Sequence, residues 1–260
     1  MHTDALIHPK EKVYFALCFG ISILIYVALV VSVVGIAYIA LGALIGLLVH
    51  GLSLGHLRGN GIRVSARQFP DVYELTQKLA SELQMKEVPD VYIIQAGGVL
   101  NAFATRFLGR NFVVLYSDVV ELARAQGQEA LAFVICHELA HHQRKHTSRR
   151  MLLLPALSVP FLGSAYSRAC EYTCDAFGAH YCGRGAVEGL LVVAAGKKLY
   201  RDVNAEEYGR QAVSEDGLFV WFAEVVSTHP RLQKRVAAVL PRATRIPVGA
   251  IASAPFAPVA

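Results

Sequence analysis

The sequence has few cysteines, and from Val13 to Leu54 it has no Asp, Glu, Lys or Arg. Its five cysteines are an odd number spread along 260 residues. They predict no disulfide framework and fit small buried thiols in a reducing compartment. The chain also lacks internal repeats and a basic patch interleaved with aromatic residues, which argues against a repeat protein and against nucleic-acid binding.

The charge-free run predicts a membrane hairpin. Apolar residues make up 54% of the chain and its mean hydropathy is +0.41, both high for a soluble protein. One spanning helix needs roughly 20 apolar residues, so the run suits two helices with a turn near Gly35. A signal peptide would have a shorter apolar core, of roughly 7–15 residues. We therefore assign residues 1–12 to an N-terminal cytoplasmic segment and 13–56 to a transmembrane helix pair.

Basic residues flank this hairpin on both sides. Lys10 and Lys12 precede it, and Arg58, Arg63 and Arg67 follow it. Cations at both ends predict an even number of spans with both ends in the cytoplasm. The prediction is a multi-pass protein of the cell (inner) membrane, with the rest of the chain on the cytoplasmic face and the lipid bilayer as a partner.

The following region predicts a helix, a small sheet and a second helix. Apolar residues recur at helical spacing in 68–85. The stretches 91–94, 102–107 and 112–116 are rich in β-branched and aromatic residues, which predicts a small antiparallel sheet. Residues 128–149 predict one long helix, apolar almost all round in its first half and therefore buried.

The C-terminal third is predicted in less detail. Met151–Tyr166 is uncharged but interrupted by two prolines, and it suits a membrane-surface or re-entrant segment or a buried cap. Further helices are predicted over 167–182, 187–200 and 232–240, with a polar loop at 202–217. The Ala/Pro-rich stretch 247–260 predicts a disordered tail.

The spacing of His137, Glu138 and His141 predicts a metal site. Two histidines four residues apart on a helix share one face and can bind one ion, with the glutamate beside the first ligand. Zinc lowers the pKa of a bound water to about 7, so that a carboxylate can take its proton. A pair of satisfied core histidines is the alternative, but burying them without a partner is costly.

A catalytic zinc ion has three protein ligands, so a third is expected from elsewhere in the chain. Glu171 and Asp175 lie four residues apart on one face of a predicted helix, where Glu171 would be the ligand and Asp175 would accept the outer N–H of a histidine. An ordinary solvated helix face is the alternative. Cys136 and Cys174 lie near enough to compete, but a cysteine ligand would favour a closed structural site.

Three stretches together carry a family resemblance. They are the His137-Glu138-x-x-His141 motif followed by Arg168-x-x-Glu171-Tyr172-x-x-Asp175-x-x-Gly178, the stretch NAFA from Asn101 to Ala104, and STHPRLQKRV from Ser227 to Val236. With them the chain resembles the membrane-associated zinc metallopeptidases that include the HtpX heat-shock protease and the CAAX prenyl proteases, and it is most similar to the HtpX-like members. The resemblance implies a mainly helical α+β gluzincin domain over 57–246, with one zinc ion per chain.

The resemblance also implies a role for individual residues. His137, His141 and Glu171 would bind zinc, and Glu138 would be the general base and then the proton donor. Asp175, Arg168 and Arg235 would surround these ligands. His229 would stabilise the oxyanion or be purely structural. A protein or peptide substrate would pair in extended form with the strand that holds Asn101, Ala102 and Phe103.

The departures from the family pattern limit the function that can be expected. HtpX-type members have a second membrane pair before the third ligand, where this chain has only Met151–Tyr166. CAAX proteases have more spans, so prenylated substrates are not expected. The prediction is a membrane-anchored zinc endopeptidase in membrane-protein quality control. The alternatives are a site-specific regulatory protease of a signalling pathway and a non-catalytic membrane adaptor with a structural zinc.

Overall fold

Two long apolar helices open the structure, a computed structural model that describes residues 3–95, 97–98 and 100–243. Helix α1 (Pro9–Val31) and helix α2 (Val34–Asn60) are each long and apolar enough to cross a membrane. The chain reverses at Ser32 and Val33, and a Cβ on Gly35 would lie 2.1 Å from the Leu29 carbonyl oxygen. The close approach explains the glycine beside this turn.

A four-stranded sheet follows the hairpin, in the order β1-β2-β4-β3. The strands are β1 (Ile62–Arg63), β2 (Asp90–Ile94), β3 (Ala102–Phe107) and β4 (Arg110–Tyr116). The prediction of a wholly antiparallel sheet is wrong, because β2 pairs with β4 in parallel. Strand β4 lies between β2 and β3. It pairs with β3 in antiparallel fashion and runs in the same direction as β2. This leaves β3 at an edge of the sheet.

Both faces of the sheet are covered, which explains its nearly continuous apolar strands. One face packs Val91 and Val113 into the main core, in one cluster with Leu75, Leu79 and Leu131. The other face packs Tyr92 and Val114 against Leu54 and its neighbours on α2. The end of the apolar hairpin is therefore part of the globular fold.

The remaining helices form most of the globular region. They are α3 (Pro70–Glu82), α4 (Ser117–Gln126), α5 (Glu129–Gln143), α6 (His146–Leu157), α7 (Leu162–Cys182), α8 (Gly185–Leu199), α9 (Ala205–Ser214), α10 (Leu218–Val226) and α11 (Leu232–Ala243). The predicted fold class is confirmed: a mainly helical α+β domain preceded by two apolar helices.

Two local predictions are wrong. The long helix over 128–149 ends at Gln143, because Lys145 adopts a left-handed conformation with φ 60° and starts α6 in a new direction. The predicted loop 202–217 contains helix α9, whose start is capped by Asn204 accepting hydrogen bonds from the backbone of Glu206 and Glu207. The predicted tail, 247–260, lies outside the described residues.

Helices α6 and α7 pack along α1. Cys18 lies in one buried cluster with Leu153, Ala156 and Tyr166. The buried hydroxyl of Ser22 accepts a hydrogen bond of 3.2 Å from the backbone of Ala156. The stretch Met151–Tyr166 is thus shared between two helices and the turn that joins them, and its inner side is covered by the first apolar helix.

Candidate metal centre

Helix α5 brings the two motif histidines together at the centre of the fold. His137 and His141 lie one turn apart, and their Nε2 atoms are 3.3 Å from each other. His137 and Glu138 are buried, whereas His141 is half-buried. The helix is buried on nearly all sides, as the sequence predicts, and the two imidazole rings face each other.

Helices α7 and α8 pack closely against α5 because a glycine on each makes room. A Cβ on Gly178 or on Gly189 of α8 would lie 2.4 Å from the Phe133 ring, which fills the space between these helices. The approach carries Glu171 and Asp175 of α7 to the histidines. The Gly178 of the predicted motif therefore has a steric reason.

The two carboxylates meet the histidine rings from different sides. Glu171 Oε2 lies 3.4 Å from His137 Nε2, and Oε1 lies 3.3 Å from His141 Nε2. Asp175 Oδ1 lies 3.0 Å from the other nitrogen of His137, Nδ1, although this contact is bent away from hydrogen-bond geometry. The structure thus brings together the four residues that the sequence places around a metal ion.

Arg235 of α11 holds both carboxylates. Its guanidinium makes two hydrogen bonds of 2.7 Å to Asp175 and lies 3.3 Å from Glu171 Oε2. Burial would raise the pKa values of both carboxyl groups, but Arg235 and the histidines hold them below their ordinary values. Burial would lower the pKa of His137, but Asp175 and Glu171 raise it to about 10. The carboxylates therefore favour positive charge beside the ring.

The donor set fits a zinc ion. Nitrogen and oxygen ligands bind zinc at about 2.0–2.2 Å, which places the corners of a tetrahedron about 3.3–3.6 Å apart. The two histidine Nε2 atoms are 3.3 Å apart, and each has one Glu171 oxygen near it, Oε2 at 3.4 Å from His137 and Oε1 at 3.3 Å from His141. Cys174 Sγ lies only within 4.8 Å of the histidine nitrogens, and burial and nearby carboxylates raise its pKa well above its ordinary value. The glutamate is the better third ligand.

Glu138 is buried next to His137 on α5, and His229 lies at the exposed border of this group. None of the described residues hydrogen-bonds or ion-pairs with the Glu138 carboxylate, so its oxygens are available to a substrate or a water. His229 is exposed, with 63% of its side chain accessible, and its Nε2 lies 3.7 Å from Glu171 Oε1. Both predicted residues therefore border the candidate metal centre.

Arg168 lies outside the metal centre. Its Nη1 donates hydrogen bonds of 2.7–2.8 Å to the carbonyl oxygens of Glu224, Val225 and Ser227, at the end of α10. Arg168 therefore fixes the segment that leads to His229 and does not contact the ligand candidates. The motif predicts Arg168 beside the ligands, but its hydrogen bonds go to the end of α10.

The predicted substrate residues lie at the free edge of the sheet. Ala102 and Phe103 belong to β3, which pairs with β4 on one side only, and Asn101 immediately precedes it. Residues of β3 pack beside α5 and α6. The unpaired edge thus runs close to the helix that carries the motif.

The sequence places His146 beside the motif but gives little indication that Glu11 comes close to it and to Arg144. His146, the first residue of α6, has its Nδ1 3.2 Å from His141 Nδ1, and its Nε2 lies 3.2 Å from Glu11 of α1. Arg144 also binds Glu11. The only signal in the sequence is a lone glutamate between two lysines at the start of the apolar run.

The fold and the site define a metallopeptidase class: a buried helix with two histidines and a glutamate, completed by a carboxylate from a second helix. The sequence profile of peptidase family M48 matches residues 66–162 and 152–243. This match covers most of the chain, which therefore belongs to peptidase family M48. Members of this family are in general zinc-dependent, and the chain is a metallopeptidase.

Proposed function

We propose that the protein is a membrane-anchored zinc endopeptidase. The observation that carries the proposal is the convergence at zinc spacing of donor groups from His137 and Glu171, which are buried, and from the half-buried His141. Asp175 supports His137 from behind, and Arg235 fixes both carboxylates. This arrangement leaves the side of Glu138 and His229 open for a substrate.

The residues of the chain divide the reaction among them. A zinc ion bound here would polarise the peptide carbonyl and lower the pKa of an attacking water. Glu138 takes the proton of that water and passes it to the leaving amine. His229 donates a hydrogen bond to the developing oxyanion from the exposed side. The resemblance of the motifs to HtpX-like metallopeptidases implies these roles.

The substrate is an extended polypeptide that adds to the edge of the sheet. On its outer side β3 has no strand partner among the described residues; the Ala102 N–H donates to Asn101 Oδ1 and the Arg106 carbonyl contacts His50 Nε2 at 3.0 Å, so a peptide in extended form can pair with the backbone between them. Main-chain pairing gives little side-chain selectivity, which suits the cleavage of many unfolded segments. Quality control of membrane proteins is therefore the role we assign, as the resemblance to HtpX implies.

The membrane contact extends beyond the hairpin. Ser22 lies ten residues after Lys12, about 15 Å further along the helix, and it binds the end of α6. The turn between α6 and α7 therefore reaches the depth of the apolar layer if α1 crosses it. Phe161 of this turn contacts Phe222 of α10, a helix with no buried residue. We assign both segments to the lipid-facing surface.

A pair of proteins tests the catalytic proposal. The wild type and Glu138→Gln are purified in detergent, and zinc content is measured together with the hydrolysis of an unfolded protein. About one zinc ion in both, with hydrolysis only in the wild type, is expected because glutamine cannot take a proton. Zinc without hydrolysis in either would favour the adaptor, and an absence of zinc would overturn the proposal.

His229 is tested separately. His229→Ala should lower kcat by about 10²–10³-fold with unchanged zinc content, as for the loss of an oxyanion donor. A fall in zinc affinity would instead assign His229 as a ligand, and unchanged kinetics would make it structural.

The lipid contact has an internal probe, because Trp221 of α10 is the only tryptophan of the chain. In vesicles with brominated acyl chains its fluorescence should be quenched relative to unlabelled vesicles, since α10 would lie among the lipids. Unchanged emission in vesicles that contain the protein would place α10 in water.

A further inference from the structure

Glu11 is a charged residue buried at the start of an apolar helix. It belongs to the first turn of α1, and only 2% of its surface is accessible. A carboxylate in such a place is costly unless it is paired. Its Oε1 lies 2.9 Å from Arg144 Nη2 and 3.2 Å from His146 Nε2. Both partners come from the turn between α5 and α6.

His146 lies between Glu11 and the metal centre. The left-handed conformation of Lys145 turns the chain so that His146 starts α6 facing back toward α5. Its ring is buried, and its Nδ1 lies 3.2 Å from Nδ1 of His141. The ring thus has His141 on one edge and Glu11 on the other.

The hydrogens of these rings have one consistent arrangement. His141 Nε2 faces the metal position and must present a lone pair, so its hydrogen is on Nδ1. That hydrogen points to His146 Nδ1, which must then accept. The hydrogen of His146 is therefore on Nε2, the nitrogen that faces Glu11 Oε1. The angle at this last contact is bent, so it is a polar contact and not an aligned hydrogen bond.

We propose that Glu11 is a positioning residue for the metal ligand His141, acting through His146. The proposal rests on the assignment of His141 as a ligand. Partners of the outer nitrogen fix the orientation of a ligand histidine and increase its basicity. The first apolar helix would thus complete the metal centre as well as anchor the protein, and the peptidase domain without it would bind zinc weakly.

The test compares full-length variants in detergent. Glu11→Gln removes the charge at nearly constant shape, and Glu11→Asp keeps it. Asp71→Asn is the matched control, because Asp71 also pairs with an arginine, Arg124, at 3.0 Å but contacts none of the ligand candidates. Two readouts are used: zinc affinity from chelator competition, and the visible spectrum of the Co²⁺-substituted protein, which reports ligand geometry.

Glu11→Gln should weaken zinc binding by about 10–100-fold and shift the Co²⁺ spectrum, as other losses of an outer partner do. Glu11→Asp should retain more affinity than Glu11→Gln, and Asp71→Asn should match the wild type. A Glu11→Gln protein with wild-type affinity and spectrum would overturn the proposal. Wild-type protein that binds no metal would instead overturn the proposed function.

His146→Leu approaches the same connection from its other end and remains informative if Glu11→Gln folds poorly. It should weaken zinc binding to a similar extent. Glu11→Gln added to His146→Leu should cause no further loss, because Glu11 acts through the missing ring. Independent, additive losses would show that Glu11 does not act through His146.

Discussion

The two proposed histidine ligands are supported by different regions of the molecule. His137 contacts Asp175, which α11 fixes through Arg235, so this support lies wholly within the peptidase domain. His141 contacts His146, whose other edge faces Glu11 on the apolar hairpin. One support is thus intrinsic to the domain, and the other depends on how α1 docks.

The supports also differ in electrostatics. Asp175 lies 3.0 Å from His137 and is held by two hydrogen bonds of 2.7 Å from Arg235. In the other support a neutral ring separates the ligand from the carboxylate. Asp175, which contacts its histidine directly, should therefore contribute more to metal affinity than Glu11 does. Glu11 acts through His146, and it should make metal affinity depend on how the hairpin docks.

The largest loss of zinc affinity is expected from Asp175→Asn. The change removes the carboxylate behind His137 and leaves Glu171, 3.3 Å away, as the charged partner of the buried Arg235, so stability should also fall. Zinc affinity should fall by about 100-fold. Chelator competition and thermal unfolding measure both, and an affinity equal to that of the control Asp71→Asn would contradict the comparison.

A double variant tests whether the supports are separate. Asp175→Asn and Glu11→Gln act on different histidines, so their losses of zinc-binding free energy should add within about 0.5 kcal/mol. The same chelator competition measures the two single variants and the double variant. A double variant no weaker than Asp175→Asn alone would mean that the two supports form one network.

A smaller loss of zinc affinity is expected from Ser22→Ala, which removes a hydrogen bond between α1 and α6. The backbone N–H of Ala156 loses its acceptor, at a cost of about 1–3 kcal/mol for a buried group. Thermal unfolding in detergent should show this loss, and zinc affinity should fall less than in Glu11→Gln. Ser53→Ala is the control, since that hydroxyl is exposed and bonds within its own helix; equal unfolding of the two variants would refute the role of Ser22.

The smallest effect is a change in stability, and it concerns Glu224 in the segment that leads to His229. Lys234 and Arg231 lower the pKa of Glu224 although burial would raise it. A lowered folded-state pKa contributes stability above the ordinary glutamate value of about 4.3, and this is lost as the pH falls through the lowered pKa. Glu224→Gln should therefore cost up to about 1 kcal/mol at pH 7, with the difference closing in acid. A stability difference between the wild type and Glu224→Gln that grows as the pH falls would contradict a lowered pKa for Glu224.

Much of the candidate site could be predicted from the sequence because its spacing is local. His137 and His141 share a helix face by their spacing of four, and Glu171 and Asp175 do so on a second helix. The length of the charge-free run likewise predicted the hairpin, and residue composition predicted the strand 102–107. The break after Gln143 could not be predicted, because a left-handed Lys145 has no marker in the sequence.

The sequence by itself determined the apolar hairpin, the motif helix and the donor types, since each depends on residues within a few turns of one another. Only the tertiary structure decided that β4 lies parallel to β2, and that Arg168 faces α10 and not the metal centre. It also decided that Glu11 meets Arg144 across 133 positions of the chain. Such contacts arise from packing between helices, and no local periodicity encodes them.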